Sequence, residues 1–250
     1  MAGGDFKVKI SAKTRRRDNA RNKLPMIITK NAVIFAVAWT IALSPLVALQ
    51  DPSMEVLQLQ LPKPMFIGTP MNMKSPNLEK VTGKPRGPFY VPKGTLLLSL
   101  NKPVTSSDRM PVIGELSMIT DGEKEGGDGY FVELGPGTQW IQIDLGAPNA
   151  LHAILVWHYH SRAQVYRDVI VQASYDADFL KEVKTIFNND HDNTAGLGIG
   201  KDKEYIETSE GRLFDPKGIQ SRYIRFYSGG STSNDMNHYI EVEIYGQPLK

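Results

Sequence analysis

Two histidines, His158 and His160, stand two residues apart in the apolar run Ala153–His160 (AILVWHYH). On an extended strand residues i and i+2 share a face, so both imidazoles point the same way. With His191 and a carboxylate they offer the donor types of a zinc or iron centre. A metal-dependent enzyme built on them would keep one position open for water. The plainer reading is a pair of rim histidines bonded to loops or to a ligand. A second cluster, Asn188–Asn193 (NNDHDN), spaces Asp190, Asp192 and Thr194 as an EF-hand loop begins. Counted from Asp190, however, the sixth position is Ala195 rather than glycine and the twelfth is Lys201 rather than glutamate. What remains is a polar loop whose Asn and Asp side chains bond their own backbone. The chain has no cysteine, which excludes thiolate metal sites, disulfides and a cysteine nucleophile. It carries no nucleophile elbow, phosphate loop or dinucleotide fingerprint. Non-enzymatic binding is therefore the leading expectation.

The elements that must position these residues are short. From Leu96 onward alternating runs recur, separated by Gly, Asn, Asp and Ser clusters: Trp140–Leu145, Ala153–His160, Asp168–Ser174, Val183–Phe187, Glu204–Glu207, Arg222–Tyr227 and Tyr239–Tyr245. No helical period persists over ten residues. The pattern predicts an all-β sandwich or barrel over residues 96–250, a span suited to one domain. Alternation turns Ile141, Ile143 and Leu145 inward, and likewise Ile240, Val242 and Ile244, with Tyr239, Glu241, Glu243 and Tyr245 outward. The run Ala153–His160 is apolar on both faces and reads as a central strand. If successive strands alternate in direction, the turn Gly146–Ala150 lies at one end. His160–Arg167, Asn188–Lys203 and Ser228–His238 then gather at the other. That end collects His158, His160, Tyr166, Arg167, Asp190, His191, Asp192, Asn193, Asn237 and His238 as candidate ligand-binding residues. Loops on a rigid scaffold are where binding residues concentrate. An aromatic face with planar and charged partners is what a sugar requires.

The charge is uneven. Residues 1–30 hold nine Lys and Arg against two Asp, a net of +7, which leaves the rest with 20 basic and 25 acidic residues, a net of −5. A mildly acidic body argues against nucleic acid as a partner. Residues 32–49 (AVIFAVAWTIALSPLVAL) carry no charge and follow the basic head, the layout of an export signal or anchor. Residues 1–50 are thus a basic head with a signal peptide or membrane anchor, and membrane contact is expected only through residues 32–49 if they stay uncleaved. Met26 also opens a conventional short n-region. Residues 51–95 contain eight of the sixteen prolines and read as an extended Pro-rich linker. Within it, Leu57–Leu61 alternates as one short strand would, and Met65-Phe66-Ile67 is a segment that could dock on the domain.

Four pieces in order carry a family likeness: Leu98–Ser107 (LSLNKPVTSS), Ile119–Gly122 (ITDG), Trp140–Gly146 (WIQIDLG), and Arg222–Tyr227 (RYIRFY) with Ile240–Gly246 (IEVEIYG). Residues 96–250 resemble a discoidin domain, the coagulation factor V/VIII type C module of the galactose-binding-like superfamily. The resemblance implies an eight-stranded antiparallel jelly-roll sandwich that binds glycans, phospholipids or proteins through loops at one end. Lacking the disulfide of membrane-binding animal members, the chain resembles the bacterial carbohydrate-binding type more closely. The resemblance also implies a structural calcium ion held by Asp121 and Glu241, with Met118 and Glu123 as carbonyl donors. Where the family usually has Thr or Ser, five residues after Asp121, this chain has Gly126. The same residues read equally as an Asp-Gly turn and a solvent-facing glutamate. The expectation is an exported module that recognises a glycan or another ligand of the cell envelope or exterior. Its rivals are an envelope adaptor for a protein partner and the three-histidine enzyme.

Overall fold

The computed structural model of the protein describes residues 51–65, 73, 75–127 and 129–249. The expected leader and the pair Phe66-Ile67 lie outside the described residues. Among those residues no helix is long and apolar enough to cross a membrane.

Twelve strands and one 3-10 turn (Leu116–Thr120) make up the regular structure of the described residues. The strands are β1 (Met54–Val56), β2 (Tyr90–Pro92), β3 (Leu96–Leu97), β4 (Val104–Ser106), β5 (Val132–Leu134), β6 (Gln139–Trp157), β7 (Ile170–Ser174), β8 (Lys184–Asn188), β9 (Arg212–Phe214), β10 (Gln220–Ser228), β11 (Asn237–Tyr239) and β12 (Glu241–Pro248). All pairings between them are antiparallel. The expected all-β antiparallel sandwich is what the chain forms. Glu204–Glu207, read from the sequence as a strand, makes only one parallel bridge, Leu78 with Glu204.

Strand β6 is the spine. Its first half lies between β4 and β10, its second half between β12 and β9. Tyr223 faces Asp144 whereas Ser221 faces Asn149, so residues 145–148 bulge out between the halves. Gly146 turns there at φ +84°, a conformation open to glycine at no steric cost. A bulge bends its strand. The eight-stranded sheet, ordered β3-β12-β6-β10-β7-β8 with β4 and β9 also on β6, thus folds round one core. That core takes Ile141, Ile143, Ile154 and Val156 from β6, Ile224 and Phe226 from β10, and Val242 and Ile244 from β12. Burying each such side chain contributes about 1.5–3 kcal/mol.

The other face of β6 and β12 is also sealed. Ala153, Leu155 and Trp157 join Ile240 and Tyr245 in a second cluster, covered by Val91 with Leu57, Leu59 and Phe89. Those last four belong to the Pro-rich segment, where β1 pairs with β2. Proline suits this position because a cover packs through side chains and needs few ladder bonds. Leu57–Leu61 forms no strand of its own; the paired residues are Met54–Val56. The outward assignment of Glu241, Glu243 and Tyr245 is corrected: all three are buried, Glu241 accepting the Gly122 amide and Glu243 meeting the Lys124 ammonium and the Tyr245 hydroxyl. Tyr239 and Ile240 are reversed as well. Tyr239 enters the main core and Ile240 the second cluster, because the chain changes partner there, from β5 to β6.

Register fixes the ends. Gln139 faces Ser228, Tyr227 faces Ile170, and Ile170 faces Asn188. The loops 158–169, 189–203 and 229–236 therefore leave the sheet at one end, as strand alternation required.

Candidate functional site

At that end β6 stops at Trp157, and Tyr159 extends the row of Leu155 and Trp157 onto the rim. Phe131, just before β5, packs against it with ring centroids 4.7 Å apart and planes at 53°. The Arg162 guanidinium lies 5.6 Å from the centre of the Tyr159 ring. Glu133 of β5, His238 of β11, and Gln164, Ser233 and Asn234 from two loops complete a recess of about 100 Å³. Pockets that enclose drug-sized ligands run to roughly 300–1,000 Å³, so this one suits a single ring laid against its wall.

A hydrogen-bond chain backs the recess. Gln164 Nε2 donates to the Tyr159 carbonyl and, at 3.1 Å, to Tyr166 Oη. Tyr166 Oη lies 2.9 Å from His238 Nδ1, and His238 Nε2 lies 2.9 Å from Glu133 Oε2. Burial lowers the His238 pKa below the ordinary histidine value of 6.5, while bonded Glu133 pulls it back up. Burial also holds the Tyr166 hydroxyl well above the usual tyrosine range.

The ten residues expected to bind ligand divide sharply. His238 lines the recess. His158, His160, Tyr166, Asp190 and Asn237 are buried and engaged within the protein, which corrects their assignment as direct contacts. His158 Nδ1 meets Glu207 Oε1 at 2.7 Å, and its ring stacks on Tyr166 at 4.4 Å. His160 Nε2 meets the Lys124 carbonyl at 2.8 Å. Both have left the β6 ladder, so the shared face of a strand does not apply to them. Asn237 ties Gly135 and Gly137 to Gly230. Asp190 accepts the amides of Thr194 and Ala195, Asp192 accepts that of Thr194, and Asn193 accepts that of Gly198. This is the self-bonded polar loop. Exposed Arg167 sits 3.7 Å from Asp235 and outside the recess. His158, His160 and His191 form no metal-like group among the described residues, so the three-histidine centre is not assembled. Sequence reasoning missed Phe131, Glu133, Tyr159, Arg162, Gln164, Ser233 and Asn234. The available signal was Tyr159 at the end of an apolar row with Arg162 three residues on.

The expected calcium ligands are held differently. Glu241 Oε2 accepts the Gly122 amide at 3.1 Å, while buried Oε1 has no partner among the described residues. Burial, with Glu243 and Asp121 nearby, pushes the Glu241 carboxyl up to about 9. Asp121 accepts the Glu123 amide and the Tyr130 hydroxyl, and the Glu123 carboxylate turns to the Glu125 amide. Gly126 has φ +60°, and a Cβ there would lie 2.5 Å from Ile240 Cδ1, which accounts for the missing Thr or Ser. The carboxylate triad that does gather among the described residues is Asp168, Asp190 and Asp192, with ligand oxygens within 4.8 Å of one another. Burial and the two other aspartates raise Asp168 to about 6.

A larger hollow of about 750 Å³ runs between residues 79–86 and 205–213. Its sides are clasped at both ends. Arg212 Nη1 donates to Glu79 at 2.8 Å, and Arg86 donates to the Glu210 and Gly211 carbonyls at 3.0 and 2.9 Å.

No family model matches the chain, and neither does any curated protein. Among solved structures it is similar to a family 89 glycoside hydrolase from Clostridium perfringens in complex with GlcNAc-alpha-1,4-galactose. The identity is 18% over 60% of this chain, with a TM-score of 0.44, and the chain spans 14% of that enzyme's length. It is also similar to a fucose binding module from Streptococcus pneumoniae, at 15% identity over 60% of this chain and 97% of that one, TM-score 0.42. A chitosan-binding module from Paenibacillus sp. IK-5 matches at 21% identity over 60% of this chain and 99% of that one, TM-score 0.39.

Proposed function

We propose that this protein is an exported, non-enzymatic module that binds a carbohydrate in the recess at Tyr159. The observation that carries the proposal is the recess itself. A half-buried aromatic pair offers a face for a sugar's C–H side, and Arg162, Glu133 and Asn234 stand round it for the hydroxyls. Exposed Arg162 is stacked on the ring and, among the described residues, makes no ion pair with a carboxylate, so its donors face a ligand. The test is a glycan array probed with the full chain and with Tyr159→Ala and Arg162→Ala. Binding that both variants abolish, and that free sugar competes away, supports the reading. Binding insensitive to free sugar points to a protein-docking adaptor instead.

Two further parts of the reading have their own tests. The loop Asp121–Gly122 and Glu241 would hold a structural calcium, with the Met118 and Glu123 carbonyls. The residues fit, because Glu241 keeps a buried, unpartnered oxygen that a hard cation would satisfy. Chelation should then lower the melting temperature and Asp121→Ala should abolish that response; identical melts with and without chelator rule the ion out. Export rests on the basic head and the apolar residues 32–49. A reporter fused after residue 250 that works only in the cytoplasm contradicts it.

A further inference from the structure

We infer that Tyr166 and Glu133 together hold His238 as its Nε2–H tautomer, and that this leaves Glu133 a fixed acceptor wall of the recess, selecting a ligand that presents a hydroxyl or amino group there rather than a carboxylate. The ligand clause rests on the sugar-binding reading; the tautomer does not.

Donor directions follow one from another along the chain behind the recess. A backbone carbonyl only accepts, so the Tyr159 carbonyl fixes which end of the Gln164 amide is the nitrogen. Ser231 Oγ, 3.3 Å from Gln164 Oε1, agrees with that orientation. The second N–H of Gln164 therefore donates to Tyr166 Oη. Tyr166 has one proton to place. It is buried; the Tyr159 backbone beside it favours the phenolate and so acts as a donor, and the acceptor within hydrogen-bond distance among the described residues is His238 Nδ1. The phenol donates and Nδ1 accepts. The imidazole proton then sits on Nε2 and is donated to Glu133 Oε2 at 2.9 Å, which an ionised carboxylate can only accept. Among the described residues Glu133 Oε1 has no hydrogen-bond partner, and Glu133 lines the recess. A carboxylate presented this way attracts a donor and repels a second carboxylate.

The groups facing His238 hold this state. Glu133 faces it from β5, Tyr166 and Arg162 from the loop after β6, and His158 from the end of β6, with the rings of Phe131 and Tyr159 beside it. Protonating His238 would aim an Nδ1–H at the phenol proton, with Gln164 already donating to the same oxygen. The burial that depresses the histidine works in the same direction.

Imidazole nitrogen spectra of the histidine-labelled full chain read the tautomer without any ligand. We expect His238 to carry its proton on Nε2 and to titrate below 6.5. In Tyr166→Phe, where Nδ1 loses its donor while Glu133 still takes the Nε2 proton, the titration should move up, a readout that a merely structural role would not shift. His238→Gln keeps an amide N–H toward Glu133, whereas His238→Ala does not. With methyl glycosides of galactose, glucose and mannose and of their uronic acids as probes, the best neutral glycoside should exceed its uronic acid at least about tenfold, and His238→Ala should weaken it by a similar factor that His238→Gln largely restores. An Nδ1–H tautomer, or a His238 titration unchanged in Tyr166→Phe, overturns the inference whatever the sugars do. A uronic acid that binds as well as its neutral partner overturns the acceptor wall. The expected tautomer with no probe bound overturns the sugar-binding reading and the ligand clause with it, and leaves the tautomer standing.

Discussion

Two hollows among the described residues are built in opposite ways. The larger, about 750 Å³ between residues 79–86 and 205–213, has walls that spend their charges on each other: Arg212 on Glu79, and Arg86 on the 210–211 backbone. Its buried polar atoms, Tyr205 Oη and Glu207 Oε2, are shut away from solvent. The smaller, about 100 Å³, has an aromatic face, an exposed arginine and a carboxylate with one oxygen unbonded among the described residues. Volume alone would select the first and chemistry selects the second. The first is the seam along which the Pro-rich segment is clasped to the sandwich, and the second is assembled from the rim of the sandwich itself.

The sharpest way to break this comparison is to remove the segment. Deleting residues 51–95 strips Leu57, Leu59, Phe89 and Val91 from the cluster round Leu155 and Trp157. Full burial is worth about 1.5–3 kcal/mol per side chain; with Val91 fully buried and the other three half-buried the loss is roughly 4–8 kcal/mol, comparable with the whole stability of a typical domain. Residues 96–250 alone should fail to give a cooperative urea transition. A transition close to that of the longer chain would return the segment to the status of a linker.

The buried acid at Glu241 gives the next effect. Its folded pKa, about 9, lies above the ordinary 4.5, so the folded state binds a proton that the unfolded state releases. Without calcium, stability is therefore full below pH 4.5 and falls as pH rises toward 9, by roughly 3 kcal/mol between pH 4.5 and 7. Glu241→Gln should flatten that slope and raise stability at neutral pH. A calcium ion should flatten the slope only in the wild type. Melts at several pH values with chelator check both, and a wild-type slope equal to that of the variant contradicts the assignment.

Arg86→Ala should cost about 1–3 kcal/mol through its lost bonds to residues 210 and 211 and leave sugar binding alone. A denaturant titration and a binding assay on the same variant check the two halves, and weakened binding would move the site toward the groove.

Much of the scaffold was legible in the residues. The rows Ile141-Ile143 and Ile154-Val156 against Leu155-Trp157 follow from a period of two, and the common end of three loops follows from strand direction. The site was legible only in outline. His158 and His160 look like strand residues until β6 ends one residue too early, and burial then turns them into supports. Tyr159 looks like one more core aromatic until it reaches the rim. Glu241 and Glu243 alternate as solvent-facing residues do, yet they meet Gly122 and Lys124, 119 residues away in sequence, while the row of Leu155 and Trp157 is covered by the Pro-rich segment. Proline content marks such a segment as extended and says nothing of what it lies against. Asp168 joins Asp190 and Asp192 only through the β7–β8 pairing, a contact that spacing does not reveal.

The central claim is that the Tyr159 recess binds a sugar. It is tested most directly by titrating the full chain, its Tyr159→Ala variant and its Arg86→Ala variant with the best glycan found on an array, with melting curves run alongside. Tyr159→Ala should weaken binding at least about tenfold with little change in melting temperature, and Arg86→Ala should lower the melting temperature with binding intact. Full affinity in Tyr159→Ala, or affinity lost only in Arg86→Ala, would contradict it.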